Sequence, residues 1–547
     1  MIKFNTVKLK KYISWINTAS VGIKPHLIVG TILGILKVVA GLLFIVVSKH
    51  MVDTATGAVK GSILSGTFIL VALIIFELLL NITNSYLYTQ AENLMRNNLR
   101  QRLFNHLLIS PMYQRGSYHS GDLTARLEED VRIVTSNITT SLPTVLIIGT
   151  QLVGAFCILI QFDRRLAWIL VMILPIFMVI GKLLSRHLRK MTQVIRDYES
   201  KIQSQIQEGL LHSSILRALE AEKYASKKLE ALQYSVYQHI MKRLKFTLIS
   251  KSVLSLGFTC GYMVVFVWGC FRLLEGSITF GVMTAFLQLV GQIQRPTVGL
   301  AQILPGFIHA STSIDRLLEV ESINIEEVIP QKKLLGTPGI KFQGVSYTYP
   351  GESQNIYQSF CHDFTPGSHT VILGHTGTGK TTLFRLILAL LKPTAGTISI
   401  YDKYESVEVS TGTRCNISYV PQGNTLFSGT IRDNLLISSP NATDEDIAEA
   451  LHIAVADFVY NLPDGLNTMC GEHGTGLSEG QAQRIAIARG ILKPANILLL
   501  DEISASLDLE TEKILFNRLM TSTPGKTIIL ITHRTEAAEY CNDILRV

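Results

Sequence analysis

The stretch that decides the fold is Thr370-Val371-Ile372-Leu373-Gly374-His375-Thr376-Gly377-Thr378-Gly379-Lys380-Thr381-Thr382. A short apolar run reads as a buried strand, and Thr382–Leu391 beyond it reads as a helix. Between them stands G-x-x-x-x-G-K-T, in the strand-to-helix context this motif requires. Its glycines allow backbone N–H groups to close around phosphates, helped by the positive end of the following helix. Lys380 is then expected to reach the terminal phosphates of a nucleotide, and the Thr381 hydroxyl to hold Mg²⁺.

Further along, Ile497-Leu498-Leu499-Leu500 is an unbroken apolar run ending in Asp501-Glu502. Such a run suits a parallel strand covered on both faces, whose carboxyl end is where an α/β sheet presents ligands. Asp501 fits a carboxylate that organises Mg²⁺. Glu502, one residue on, fits a general base aimed at an attacking water.

The first 300 residues have another character. Hydrophobic residues make up 47% of the 547-residue chain, and they crowd there. Crossing ~30 Å of hydrocarbon takes about 20 apolar residues. Six segments qualify, at roughly 27–49, 63–87, 143–162, 166–184, 253–271 and 277–297. Their outer connections are short. The stretches 88–142 and 185–252 are long, polar and helix-friendly, with turns expected near 113–122 and 207–216. They carry Arg96, Arg100, Arg102, Arg115 and Arg126, and Arg186, Arg189, Lys190, Lys227, Lys228, Lys242 and Arg243. This basic bias marks their side as cytoplasmic. The net charge of +8 therefore points to a membrane surface, not to nucleic acid. Residues 1–20 show no cleavable signal, so the first membrane helix is expected to direct insertion. The seven cysteines show neither C-x-x-C spacing nor a metal-like cluster and read as free thiols.

Two charges stand within the apolar runs, Lys37 and Glu77. They are expected to pair, to line the path of a polar cargo, or to snorkel and sit in wetted space without touching cargo. Tyr262, Phe266, Trp268 and Phe286 in the last two segments read either as an apolar route or, more commonly, as helix packing.

With these motifs in hand, the chain resembles an ABC transporter of the exporter type. Leu477-Ser478-Glu479-Gly480-Gln481 is similar to the family's Leu-Ser-Gly-Gly-Gln signature. The resemblance implies that Ser478, Gly480 and Gln481 serve a nucleotide held by the opposite subunit. It also implies that Tyr349 stacks on adenine, that Gln422 touches Mg²⁺, and that His533 contacts the γ-phosphate. Ala505-Ser506-Leu507-Asp508 resembles the loop that crosses the dimer interface, and Gly471-Glu472-His473-Gly474 the segment that meets a coupling helix. In the membrane half, Ser120-Gly121-Asp122-Leu123 and Gly276-Ser277-Ile278-Thr279-Phe280-Gly281 resemble further exporter segments. Two departures stand out. Glu479 replaces a signature glycine, and the chain ends at Val547, soon after a strand expected at 543–547.

The implied fold is an all-α, six-helix transmembrane domain followed by an α/β P-loop NTPase domain, with boundaries at 1–315, 316–337 (a linker) and 338–547. The implied activity is ATP-driven export of a lipid, peptide or amphipathic small molecule, with ATP and Mg²⁺ as cofactors. The partner is a second half-transporter, a homodimer in preference to a heterodimer. The expected home is a bacterial inner membrane with the nucleotide domain in the cytoplasm. An importer on the same fold, a regulatory subunit of a heterodimer and a nucleotide-gated channel are the alternatives.

Overall fold

The computed structural model describes residues 6–111, 120–352, 354–375, 377–471 and 476–547. The chain divides into two compact units, Met1–Phe104 with Ser120–Val320, and Asn105–His119 with Glu321–Val547.

The first unit is helical. A short helix α1 (Thr6–Ala19) precedes α2 (Lys24–Ala55), which starts with a proline in its first turn, where the missing N–H costs nothing. Then follow α3 (Ile63–Leu108), α4 (Gly121–Phe162), α5 (Arg164–Leu211), α6 (Ser213–Ala218), α7 (Glu222–Leu274) and α8 (Phe280–Glu321). Five of the six expected apolar segments lie within α2, α3, α4, α5 and α7, and the sixth, 277–297, starts three residues before α8. Among the described residues α2, α3, α4 and α7 are long and apolar enough to cross a membrane. The second expected turn falls slightly later than predicted, around α6, because α5 continues to Leu211. The first lies largely outside the described residues.

Helix contacts in this unit rely on small residues and on polar pairs, as lipid-embedded packing requires. A Cβ on Gly34 would lie 2.2 Å from Ile147, and one on Gly281 would lie 2.4 Å from both Asp53 Oδ1 and the Lys49 carbonyl. The buried Asp53 pairs with Lys49 at 3.2 Å and accepts the Gly281 N–H at 3.0 Å. Arg126 bridges Asp122 (2.8 Å) and Glu319 (2.9 Å), while Arg316 reaches Asp122 (2.7 Å) and Asp130 (3.1 Å). Phe286 is fully buried against Phe162, and the Trp268 indole donates to Asp163. These two therefore pack helices, whereas Tyr262 and Phe266 remain exposed. Lys37 donates to Asn81 Oδ1 at 2.7 Å, and among the described residues no ion pair joins it to Glu77, so of the alternatives the pair is not the one formed.

The second unit is built on sheets. The strands are β1 (Gly339–Tyr347), β2 (Tyr357–Phe364), β3 (His369–Leu373), β4 (Ala395–Tyr401), β5 (Ser406–Glu408), β6 (Ile417–Val420), β7 (Gly429–Thr430), β8 (Met469–Cys470), β9 (Ile497–Asp501), β10 (Thr527–Ile531) and β11 (Asp543–Arg546). The helices are α9 (Lys380–Ile387), α10 (Ile431–Leu436), α11 (Asp444–Ile453), α12 (Glu479–Leu492) and α13 (Leu509–Ser522). An antiparallel sheet runs β2-β1-β4-β5, and a parallel sheet runs β11-β3-β10-β9-β6. All residues of β9 and β10 are buried, as expected of parallel strands with both faces covered. Alternation sends Leu498, Leu500, Ile528 and Leu530 into one core, and Ile497, Leu499, Ile529 and Ile531 into the other.

Cys541 packs at the edge of the first of these cores, and burial pushes its thiol up to about 11. Only the thiolate reacts, so at pH 8 its reactive fraction should be about a hundredfold below that of an ordinary thiol. Exposed Cys361 should therefore take up iodoacetamide first. Labelling of Cys541 should climb as the pH rises towards 11. Equal labelling rates at pH 8, followed by mass spectrometry, would contradict this packing.

Candidate functional site: the nucleotide centre

The parallel sheet assembles the site. Strands β6, β9, β10 and β3 are consecutive neighbours, with Val420 beside Leu500, Asp501 beside Ile531, and Ile531 beside Ile372. The chain leaving each strand therefore emerges on one edge, carrying Gln422, Asp501-Glu502, His533 and the loop from Gly374. Residues distant in sequence meet because they follow parallel strands, at the carboxyl edge where such sheets bind ligands.

The loop conformation depends on glycine. Gly377 and Gly379 have φ of +90° and +98°, a region that side-chain-bearing residues avoid. Gly379 is also the N-cap of α9, and a Cβ there would lie 2.4 Å from Ile356. Lys380 is buried, and its ammonium donates to the carbonyls of Gly374 (2.7 Å) and His375 (2.9 Å). Thr378 bonds back to His375. Thr376 lies outside the described residues. Burial lowers the Lys380 pKa, and the charges of Glu502 and Asp501 oppose that shift.

Asp501 closes β9 and is almost wholly buried. Burial raises its pKa; Thr381, Tyr419 and Arg385 pull the other way, while Glu502 adds to the rise. The Tyr419 hydroxyl donates to Oδ2 at 3.3 Å, whereas Oδ1 is buried without a hydrogen-bond partner. A buried carboxylate oxygen left unpaired is costly, and a hard cation beside it would satisfy it. Asp501 and the neighbouring Thr381 thus fit Mg²⁺.

Glu502 is the most constrained side chain here. Its φ is +49°, unusual for a residue with a Cβ and a form of strain that clusters at functional sites. Its N–H donates to the Ile531 carbonyl at 2.9 Å. Oε2 accepts from Gln422 Nε2 at 2.5 Å and Oε1 faces His533 Nε2 at 2.7 Å. Gln422, Glu502 and His533, from three strand ends, thus form one contiguous group.

The remaining predicted residues fall into two places. Tyr349 lies against α9, its hydroxyl 3.0 Å from Thr382 Oγ1 and accepting from Arg385 at 3.2 Å. Ser478, Gly480 and Gln481 open α12. Ser478 Oγ accepts the Gln481 N–H while Gln481 Oε1 accepts the Ser478 N–H, a complete capping box. Asp508 caps α13 through the Thr511 N–H at 2.9 Å, and that bond holds its carboxyl below the usual range. Among the described residues no hydrogen bond joins Ser478 or Gln481 to the Lys380 loop. Glu472, His473 and Gly474 lie outside the described residues.

Sequence reading missed three supporting residues. Tyr419 positions Asp501, Gln483 donates from α12 to the Glu502 carbonyl at 3.3 Å, and the Tyr357 hydroxyl bonds the Gly379 carbonyl at 3.0 Å. Only Tyr419 carried a signal, since it stands just before Pro421-Gln422.

Residues 27–297 match the family model of the ABC transporter transmembrane region, and residues 358–505 that of the ABC transporter. The chain is 31% identical over 446 residues to a multidrug resistance ABC transporter ATP-binding and permease protein of Lactococcus lactis, covering 80% of this chain and 74% of that protein. The chain belongs to the ABC transporter family. It is also 25% identical to an ATP-dependent lipid A-core flippase of Photobacterium profundum, over 96% of this chain and 91% of that one. Its fold is that of a bacterial Atm1-family ABC exporter solved with ATP bound, at a TM-score of 0.78 and 21% identity, covering 95% of this chain and 93% of that one. As an ABC exporter, the protein is an integral membrane ATPase that couples ATP binding and hydrolysis to transport. One membrane region and one nucleotide-binding domain make it half of the paired exporter architecture.

Two substitutions test the α12 start. Ser478→Ala removes the cap and should lower stability by about 1 kcal/mol. Gly480→Ala would bring a methyl to 2.7 Å of the Ser506 carbonyl, so it should lower the melting temperature of the full chain further. A Gly480→Ala melt equal to wild type would contradict this placement.

Proposed function

We propose that the protein exports an amphipathic molecule, such as a lipid or a lipid-like drug or peptide, from the cytoplasmic side of a bacterial inner membrane. It works as a homodimer, each chain comprising a membrane domain (1–315) of six helices, a linker (316–337) and a cytoplasmic nucleotide domain (338–547). The membrane-active names of the relatives, a lipid flippase and a multidrug transporter, support this cargo class.

The observation that carries the reading is the clamp on Glu502 by Gln422 and His533. Two contacts fix both carboxylate oxygens at the carboxyl edge of the sheet, so the base is held in place before it is needed. Glu502 accepts the proton of the attacking water, and His533 both orients Glu502 and meets the γ-phosphate. Gly374, His375, Thr376, Gly377, Thr378 and Gly379 supply loop amides to the phosphates, while Lys380 neutralises their terminal charge. Thr382 anchors the loop-side turn of α9, and Tyr349 turns from its hydroxyl contacts to stack on adenine. Asp501, Thr381 and Gln422 would hold Mg²⁺, which when bound would offset the negative charge of the phosphates. The α12 start, with Ser478, Gly480 and Gln481, faces the nucleotide of the second chain across the interface, and Asp508 lies on that interface. This arrangement explains why one chain keeps the two groups of residues apart.

ATP then binds better to the closed pair of nucleotide domains than to the open pair. That difference drives the change of membrane access.

The test is phosphate release by the purified full chain in lipid. Glu502→Gln should cut turnover by about 10²–10⁴-fold while fluorescent ATP still binds. Lys380→Ala should lose binding as well. Undiminished turnover in Glu502→Gln would overturn the assignment of the base.

A further inference from the structure

Helices α2 and α3 pack antiparallel, and their contacts set a register. A Cβ on Gly30 would lie 2.7 Å from Tyr88 and 3.2 Å from Asn84, and one on Gly34 3.5 Å from Asn84. Lys37 continues the series through its 2.7 Å bond to Asn81. The next turn brings Gly41 level with Glu77. A Cβ on Gly41 would meet nothing within 4 Å, so a notch opens there between Lys37 and Glu77.

Both charged residues are half-buried. Asn81 occupies one donor of the Lys37 ammonium and holds it back. Among the described residues no ion pair joins Lys37 to a carboxylate, and Glu77 has none either. An ammonium and a carboxylate thus stand on neighbouring helices, about one helical turn (~5.4 Å) apart along the axis, within apolar segments where unpaired charge is costly. Around them Leu36, Ile74 and Leu78 present exposed apolar side chains.

We propose that this notch is a head-group site for a zwitterionic amphiphile, one that carries a phosphate-type anion and an amine on an apolar tail. Lys37 takes the anion, Glu77 takes the amine, and Asn81 is the spacer that keeps the two from neutralising each other. A purely anionic head is repelled by Glu77 and a purely cationic one by Lys37, so only the zwitterion satisfies both. Leu36, Ile74 and Leu78 hold the start of the tail. The inference rests on the export reading only for what is done with the bound molecule.

Three probes with one tail decide it: dodecylphosphoethanolamine, dodecyl phosphate and dodecylamine. Their equilibrium binding to the full chain is measured in dodecyl maltoside micelles, without nucleotide. The zwitterion should bind at least about tenfold tighter than either other probe, as expected for one extra charge-assisted contact. Lys37→Gln and Glu77→Gln should each abolish that preference. The double swap Lys37→Glu with Glu77→Lys should restore it. Asn81→Ala, which frees Lys37 to reach Glu77, should weaken zwitterion binding, and Lys60→Gln in the outer loop should change nothing. Equal binding of all probes to wild type, or a preference that survives both single variants, would overturn the site. A preference for dodecylamine lost only in Glu77→Gln would also overturn it. Failure of ATP-driven transport beside an intact probe preference would instead sink the export reading and leave the site standing.

Discussion

The structure depends on the parallel pairing of β3, β10, β9 and β6. That pairing is a backbone constraint, and its consequence is chemical. Four strands that run the same way release their chains at one edge, so a lysine, two carboxylates, a glutamine and a histidine spread over more than 150 residues become neighbours. Burial of both sheet faces makes the edge rigid. The rigidity in turn supports the strained Glu502 backbone and the unpaired Asp501 oxygen, each of which would relax in a looser frame.

The membrane unit follows another rule. Lipid gives helices no hydrophobic reason to associate, so close approach at Gly34 and Gly281 and the paired charges around Asp53 and Arg126 hold it. Charge that is paired there is structural. Charge that is not paired, at Lys37 and Glu77, has been carried into apolar surroundings without an internal reason. This contrast separates the two kinds of polar residue in the same helices.

Much of the nucleotide centre was legible because its chemistry is local. Gly374 to Thr382 and Ile497 to Glu502 each show strand, turn and ligand group in one run. The helix caps made by Ser478 and Asp508 were not read from the sequence and appear only in the structure. What stayed hidden was long-range. Nothing in sequence ties Tyr357 to Gly379 or Gln483 to Glu502, since these bonds depend on how sheets and helices pack. The partner of Lys37 stayed hidden for a related reason. Opposite charges suggest each other in a sequence, but the antiparallel register placed Asn81, not Glu77, within reach of the ammonium.

The central claim is that hydrolysis at Glu502 is coupled to movement of cargo. The most direct measurement follows phosphate release and the redistribution of a fluorescent lipid together, in proteoliposomes containing only this chain. The account predicts that Mg²⁺ and ATP move the lipid against its gradient, and that a non-hydrolysable ATP analogue stops sustained movement although it still binds. Lipid movement that runs only down its gradient, at the same rate with either nucleotide, would contradict it and make the protein a nucleotide-gated passage.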